Sequence, residues 1–343
     1  MFYFVFGNQY INFFNNDINF LIPVYYTISN NNLTNFGAYS FLQYILFNQY
    51  LRKSILLDSI SLNNKVIKKI INNNVLDNEK IFFKIVNSIF TKDSLFSNLV
   101  NLDNHYKKDY QDYRIFYIDW ELLYHNLKFC QEIVFIKRFD FDNFQTKIIF
   151  DIFSYFNKKV KIIDTWKYYF DLYKFKLNHN RAYLFIYFGY YNIELFVVSF
   201  GNLLYYLTNR YYNVSYKDLF SKLYSFLYQK GIFIKYFDLV DLVNYFLGNI
   251  FYIVSGKFDK EKIELISKYK DSFIKKELYY YEFKFILQDF YIALKKMFID
   301  IFIKMDLQVI EDIYDGNFLI ISSYKVDNLF LNLLNDIIID VKI

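Results

Sequence analysis

The pattern of apolar and polar residues is most regular over residues 181–206. The apolar run that ends at Gly189 predicts a strand, Ile193–Val198 predicts a second strand, and the residues after Gly201 predict a third. The next segment, NVSYKDLFSKLYSFLYQKG, has apolar residues at helical spacing and ends at Gly231. The pattern therefore predicts three strands joined by tight turns, followed by an amphipathic helix with a left-handed glycine cap.

Four short apolar runs at the amino terminus predict a second group of strands. They are separated by Gly7-Asn8, by residues 15–17 and by Pro23, which are residue types that favour turns. The four predicted strands are Phe2–Phe6, Tyr10–Phe14, Ile18–Leu21 and Val24–Ile28.

Residues 38–112 are polar with apolar residues at helical spacing, and no specific fold follows from them. Short apolar runs predict buried strands at Phe116–Trp120 and Glu132–Ile136. The next predicted elements, in chain order, are a helix (142–157), a strand (158–165) and a helix (166–176). At the carboxyl terminus, NFLIISSYKVDNLFLNLLNDIIIDVKI predicts a strand, a turn, a helix and a short final strand.

These segments, in this order, resemble the nucleotide-binding core of the superfamily of ATPases that includes actin, Hsp70 and FtsA. The resemblance covers roughly residues 1–30, 130–230 and 316–343. It implies an α/β fold class with two actin-like domains, each a mixed sheet flanked by helices. The first domain would comprise residues 1–141 with a helical insertion at 38–130, closed by the returning segment 316–343, and the second would comprise residues 142–315.

The superfamily places a carboxylate before each of two phosphate-binding turns, where it holds hydrated magnesium near the phosphates. Tyr187 stands where the resemblance requires the second carboxylate, two residues before Gly189. Val5, or a residue near it, stands where it requires the first, before the predicted turn at Gly7. Both phosphate positions are therefore expected to be degenerate.

The adenosine-binding element of the superfamily is a strand that ends in a run of glycines, which lets the backbone approach the nucleotide. Ser322 and Ser323 stand at the corresponding positions, and their side chains would obstruct that approach. With three positions lost, we expect no catalytic residue, no cofactor and no active ATP hydrolysis. The resemblance implies a pseudo-ATPase whose cleft is closed by Tyr187, Tyr190 and neighbouring aromatic residues.

The composition has 37 Tyr and 43 Phe but only 8 Gly and 1 Pro, and five of the 40 basic residues are Arg. Phe, Tyr, Ile, Asn and Lys have codons made of A and T, so this bias is typical of a very AT-rich organelle genome. It resembles the unassigned reading frames of ciliate mitochondria. Met1 also leads directly into an apolar strand, as expected of a protein that needs no import signal.

The formal net charge of +5 is a mild basic excess, lower than expected for a dedicated rRNA-binding protein from a Lys-rich genome. A single cysteine, Cys130, excludes an internal disulfide and predicts a small buried residue. Residues 18–51 carry no charge, but Pro23 and several Asn residues divide them into pieces too short to span a membrane. We therefore expect no transmembrane helix.

The histidine residues and a pair of aspartates predict neither a metal site nor a catalytic site. His105, His125 and His179 are too widely spaced for a metal site, so surface or hydrogen-bonding roles are expected. Asp140 and Asp142 precede a predicted helix, which favours capping over paired-carboxylate catalysis. No metal site is expected.

The leading hypothesis is a non-catalytic scaffold subunit of a large mitochondrial inner-membrane energy complex, on its matrix side, with other protein subunits as its partners. One alternative is a mitoribosomal protein whose Lys68-Lys69 and Lys158-Lys159-Lys161 contact rRNA phosphates. Another is a surviving nucleotide-binding switch that uses a different carboxylate, such as Asp151 or Glu194.

Overall fold

A computed structural model describes residues 1–6, 10–29, 32–47, 59–62, 65–69, 75–138, 141, 143–178, 180–269 and 272–341. Gly7, Asp140, Asp142 and His179 lie outside the described residues, as does part of the segment 18–51. The described chain divides into two units, the first ending at Tyr169 and the second beginning at Phe170.

The main sheet of the first unit has five strands, because three amino-terminal strands are extended by two parallel strands from later in the chain. Its strand order is β3-β2-β1-β8-β9, with β1 parallel to β8 and β8 parallel to β9. Phe4 of β1 is fully buried against the rings of Phe13, Phe135 and Phe153. These strands are β1 (Phe2–Phe6), β2 (Tyr10–Phe14), β3 (Asn19–Pro23), β8 (Glu132–Lys137) and β9 (Lys159–Asp164).

The remainder of the first unit is a second, smaller sheet with helices. The sheet has the order β5-β4-β7-β6 and contains β4 (Tyr25–Ser29), β5 (Asn32–Phe36), β6 (Ser59–Leu62) and β7 (Lys65–Lys69). The helices of this unit are α1 (Ala38–Phe47), α2 (Val75–Thr91), α3 (Ser94–His105), α4 (Lys107–Asp112), α5 (Trp120–Phe129) and α6 (Asn143–Tyr155), and α7 (Thr165–Tyr173) contains the unit boundary.

The second unit repeats the meander of three antiparallel strands extended by a parallel one, in the order β12-β11-β10-β15. The strands are β10 (Ala182–Phe188), β11 (Ile193–Ser199), β12 (Asn202–Thr208) and β15 (Phe318–Ser322), and β13 (Lys262–Tyr269) and β14 (Ser272–Tyr279) form a separate antiparallel pair. The helices are α8 (Tyr216–Gln229), α9 (Tyr236–Val254), α10 (Tyr281–Phe302), α11 (Leu307–Tyr314) and α12 (Asp327–Val341).

The predicted mixed α/β fold class is confirmed, and so is the three-stranded meander followed by a helix. Gly201 and Gly231 have φ angles of +75° and +70°, the left-handed region that suits glycine. The uncharged amino-terminal stretch is divided among β3, β4, β5 and α1, as the turn residues indicated. Cys130 is buried, and its thiol contacts the Glu132 carbonyl oxygen.

The predicted domain boundaries were wrong. Residues 142–169 belong to the first unit because β9 pairs with β8, and β15 belongs to the second because it pairs with β10. The segment 316–343 therefore does not close the first domain. These pairings join strands far apart in the sequence, where local patterns carry no information.

Two local predictions also failed. The predicted strand Phe116–Trp120 is irregular up to Asp119, whose carboxylate accepts a hydrogen bond from the Leu122 N–H and begins α5. The predicted final strand is the end of α12, which continues to Val341. At the carboxyl terminus, helix hydrogen bonding prevails over an apolar run that strand propensity favours.

Among the described residues, α9 is the one helix long and apolar enough to cross a membrane, with a mean hydropathy of 1.4 over 18 residues. It packs against α8, α10 and α12. Its buried residues recur at helical spacing, from Leu239 through Val243 and Phe246 to Ile250. This arrangement is that of a core helix with one polar face.

Candidate functional site

The turn between β10 and β11 holds the first candidate residues, Tyr187 and Gly189. The Gly189 N–H donates to the Asn192 carbonyl at 2.7 Å and closes the turn. A Cβ added to Gly189 would lie 3.1 Å from Tyr187 Cε1 and 3.3 Å from Tyr187 Oη, so the Tyr187 ring covers the turn glycine. An uncharged ring thus lies where the resemblance requires a carboxylate and an open backbone.

The two alternative carboxylates are in different environments. Glu194 is 1% exposed and lies on β11 directly opposite Tyr187 in the register. Asp151 is on the exposed side of α6 in the first unit. Within the second unit, Glu194 is therefore a carboxylate adjacent to the degenerate turn.

The last residue of β15 and the loop after it provide the second pair of candidates, Ser322 and Ser323. The Ser322 hydroxyl donates to the Phe188 carbonyl at 3.0 Å and accepts from the Tyr324 N–H at 3.0 Å, whereas Ser323 is exposed. Because β15 is parallel to β10, this loop and the Gly189 turn follow the same end of the sheet. The Ser322 side chain therefore fastens the two loops together.

Aromatic rings cover this end of the sheet. Tyr324 stacks on Tyr216 with ring centroids 4.0 Å apart, and Tyr190 packs against Tyr216 at 5.6 Å. Burial raises the pKa of Tyr216 well above its ordinary value of 10, and nearby Tyr324 and Asp241 add to the shift, so the phenol stays neutral. The cluster closes the site with uncharged groups.

The amino terminus of α8 points into the same region, but two of its N–H groups already have partners. Ser215 Oγ accepts from the Asp218 N–H at 3.1 Å, and the Lys217 N–H donates to the Tyr190 carbonyl at 2.9 Å. A helix amino terminus binds anions through free N–H groups. At least two of these donors are used within the chain.

A cavity of about 590 Å³ lies between α9 and the start of α12. Asn244 is one of its lining residues, and the Oδ1 atom of Asn244 is buried without a hydrogen-bond partner among the described residues. Such an orphaned acceptor favours a ligand or water that donates a hydrogen bond. Other polar lining residues are Asp241, Tyr245, Asn249, Lys325 and Asp327. Local sequence patterns give no sign of this cavity.

In the first unit, Val5 is half-buried and pairs with Asn12 on β2 and Ile136 on β8. Arg138, at the end of β8, was not predicted as a site residue. It is buried, donates to the Phe6 carbonyl at 3.3 Å, and lies 5.5 Å from the centre of the Phe141 ring. A cation therefore lies near the position where a metal-holding carboxylate was sought, and the rarity of Arg in this chain was its one sequence signal.

Within the part of the chain that the structure describes, no three His, Cys, Asp or Glu side chains come together as a metal site would require. His105 and His125 are exposed, in agreement with the surface role predicted for them. The predicted caps at Asp140 and Asp142 lie outside the described residues.

No family model matches the sequence, and no curated protein matches it either. Solved structures do match. The crystal structure of MreB5 of Spiroplasma citri bound to ADP has a TM-score of 0.61 and 9% identity, covering 99% of this chain and 98% of that one. The same protein bound to AMPPNP has a TM-score of 0.61 and 9% identity, covering 97% of this chain and 89% of that one. This chain therefore has an actin-like fold.

Proposed function

We propose that this chain is a non-catalytic scaffold protein, a pseudo-ATPase that keeps an actin-like fold without ATP hydrolysis. The observation that carries the proposal is the Tyr187 ring, which lies against Gly189 at the turn that would bind phosphate. The Ser322 tether and the Tyr216–Tyr324 stack support it at the adjoining loop. Hydrolysis by this fold needs carboxylates for magnesium and open backbone N–H groups for phosphate.

Calorimetric titration with Mg·ATP tests this proposal. MreB5 of Spiroplasma citri, whose crystal structures contain ADP and AMPPNP, is the matched positive control in the same buffer. We expect the control to bind and this chain to give no heat of binding and no phosphate release. Micromolar binding of Mg·ATP by this chain, or its hydrolysis, would refute the proposal.

The proposed setting of the scaffold is the matrix side of the mitochondrial inner membrane, within a respiratory or ATP synthase complex. The composition supports this setting, and so do large apolar side chains left in solvent, such as Phe175 (89% exposed) and Tyr211 (82% exposed). Apolar residues of this kind favour burial against protein partners. Native-gel separation of mitochondrial membranes followed by mass spectrometry is expected to find the chain in one large complex.

Co-sedimentation with ribosomal subunits in high salt would instead favour the mitoribosomal alternative. Of the lysines predicted to face rRNA, Lys158 donates to the Lys128 and Cys130 carbonyls, at 2.9 Å and 2.7 Å. Lys159 and Lys161 are exposed on β9. The scaffold proposal is preferred because the formal net charge of +5 is modest for an rRNA-binding protein.

A second candidate function is binding of a neutral nucleoside without its phosphates. The cavity beside α9 favours it, because the lining is polar and includes the amides of Asn244 and Asn249. Two acidic lining residues, Asp241 and Asp327, against one basic residue, Lys325, oppose binding of a polyphosphate. Saturation-transfer NMR with adenosine is expected to show contact that Asn244→Leu abolishes and that Asn101→Leu, on an exposed helix position, leaves unchanged. Absence of transfer to adenosine would exclude this function.

A further inference from the structure

The edge of the second unit's sheet at β15 is unlike the other edges of the two main sheets. Within residues 180–269 and 272–341, no strand pairs with the side of β15 that faces away from β10. In the first unit the corresponding strand, β8, is covered by β9 and is largely buried. All five residues of β15 are half-exposed, so this position in the second sheet is open.

The other three edges carry features that oppose pairing with another chain. β9 exposes Lys159, Lys161 and Asp164, β3 contains Pro23, and the β11–β12 pairing has a bulge at Val197/Val198. The sequence of β15 is FLIIS, with no charge and no proline. An apolar edge without such protection is a template for strand addition.

The direction of the free backbone groups follows from one hydrogen bond. The Leu184 N–H donates to the Asn317 carbonyl at 3.0 Å, so residue 317 points toward β10. Backbone groups alternate in direction along a strand, which turns those of Ile320 and Ser322 outward. The Phe318 carbonyl also faces outward, whereas its N–H donates to the Gly316 carbonyl at 2.8 Å.

We propose that β15 pairs antiparallel with β15 of a second copy of this chain, about a two-fold axis at Ile320. Ile320 would form two reciprocal hydrogen bonds with its counterpart, and Ser322 would bond to the Phe318 carbonyl of the other copy, about four bonds in all. The charges at the two ends of β15 favour a second copy of this chain as the pairing partner. Antiparallel pairing brings Asp315, exposed before the strand, toward exposed Lys325 of the second copy.

The first test is sedimentation velocity of the whole chain over about a hundredfold range of concentration, where a mass-action dimer is resolved. We expect the wild type to dimerise and Ile320→Pro to be monomeric, because proline removes an outward donor and leaves the β10–β15 bonds intact. Leu331→Ser, a surface change on α12, is the matched control and is expected to keep the dimer. A wild type that is monomeric throughout, or a dimeric Ile320→Pro variant, would refute the proposal.

A charge exchange keeps the test decisive if Ile320→Pro does not fold. Lys325→Asp is expected to weaken the dimer about tenfold through two symmetric pairs of like charges, and adding Asp315→Lys is expected to restore it. The Lys325 variant is the primary one because Asp315 also lies 3.3 Å from Arg181. Failure of the double variant to regain affinity would contradict the antiparallel register. The inference is independent of nucleotide binding and of the proposed mitochondrial partners.

Discussion

The ring of Tyr216 at the start of α8 lies against the ring of Tyr324, with centroids 4.0 Å apart and planes inclined by 20°. Tyr324 belongs to the loop after β15, whose Ser322 hydroxyl is bonded to β10. Tyr216 is almost fully buried, so its partner cannot move away without exposing it. The stack therefore fixes the loop after β15 against the start of α8.

We expect Tyr216→Leu and Tyr324→Leu to destabilise the chain non-additively, because each removes the same ring pair. A double-mutant cycle by urea denaturation should give a coupling of about 1 kcal/mol. Tyr211→Leu is the control, since that ring is 82% exposed and should change the free energy of unfolding little. Strict additivity of the two single changes would show that the stack contributes nothing.

Gly189→Ala is expected to destabilise the wild type by about 1–2 kcal/mol, the usual cost of overpacking. The new methyl group would lie 3.1 Å from Tyr187 Cε1, closer than ordinary contact. In a Tyr187→Ala background that contact is absent, and the same change should cost clearly less. Thermal unfolding of the four variants measures the difference, and an equal cost in both backgrounds would place the strain elsewhere in the turn.

Asp103 predicts a dependence of stability on pH. It is 0% exposed and accepts hydrogen bonds from Tyr110 Oη at 2.5 Å and Trp120 Nε1 at 2.7 Å. Burial outweighs these bonds and raises the pKa of Asp103 to about 6 from 3.8. The folded state therefore favours the protonated form of Asp103. The resulting stabilisation is complete below pH 3.8 and is lost as the pH rises through 6, a change of roughly 3 kcal/mol in the free energy of unfolding.

Asp103→Asn tests the sign of this pH dependence. The amide cannot ionise, and it offers one acceptor oxygen in place of the two that receive bonds from Tyr110 and Trp120. We expect the variant to be less stable than the wild type at pH 5 and to recover most of that deficit at pH 8. Asp112→Asn, at an exposed position, is the control and should show the same difference from the wild type at both values. Urea denaturation at the two pH values measures it, and a deficit for Asp103→Asn that does not shrink would be inconsistent with the raised pKa.

The carboxylate of Asp312 is expected to make the stability depend on pH in the opposite direction. It accepts from the Ala182 N–H at 2.8 Å and from Arg181 Nη1 at 2.6 Å, joining α11 to the start of β10. Burial alone would raise the pKa of Asp312, but these bonds outweigh it and hold the pKa below its ordinary value. The stabilisation of the fold by these two bonds is therefore present above pH 3.8 and is lost as the pH falls through the folded-state pKa of Asp312.

Asp312→Asn should lower the free energy of unfolding by about 1–3 kcal/mol at pH 7, since a buried donor loses its carboxylate acceptor. At pH 3 the variant and the wild type should differ less. Glu311→Gln, on the exposed side of the same helix, is the matched control. A deficit that is constant between pH 7 and pH 3 would argue against a depressed pKa.

Local patterns were sufficient for the elements around the candidate site. Alternation, glycine turns and helical spacing predicted β10, β11, β12 and α8, because each of these elements forms from neighbouring residues. The same patterns failed at Phe116–Trp120, which is irregular until α5 begins, and at the carboxyl terminus, where the apolar run is helical. The missed site features, Arg138 and the cavity at Asn244, depend on residues that meet only after folding.

The sequence by itself determined which side chains stand at the degenerate positions, because the strand and turn order places Tyr187 before Gly189 and Ser322 at the end of a strand. The tertiary structure decided what those side chains do. Pairing of β15 with β10 brings Ser322 to Phe188 and Tyr324 to Tyr216, and it leaves an apolar edge open. Such contacts join segments more than a hundred residues apart, and only packing of the whole unit selects them, since propensity and periodicity act within a few turns or strands.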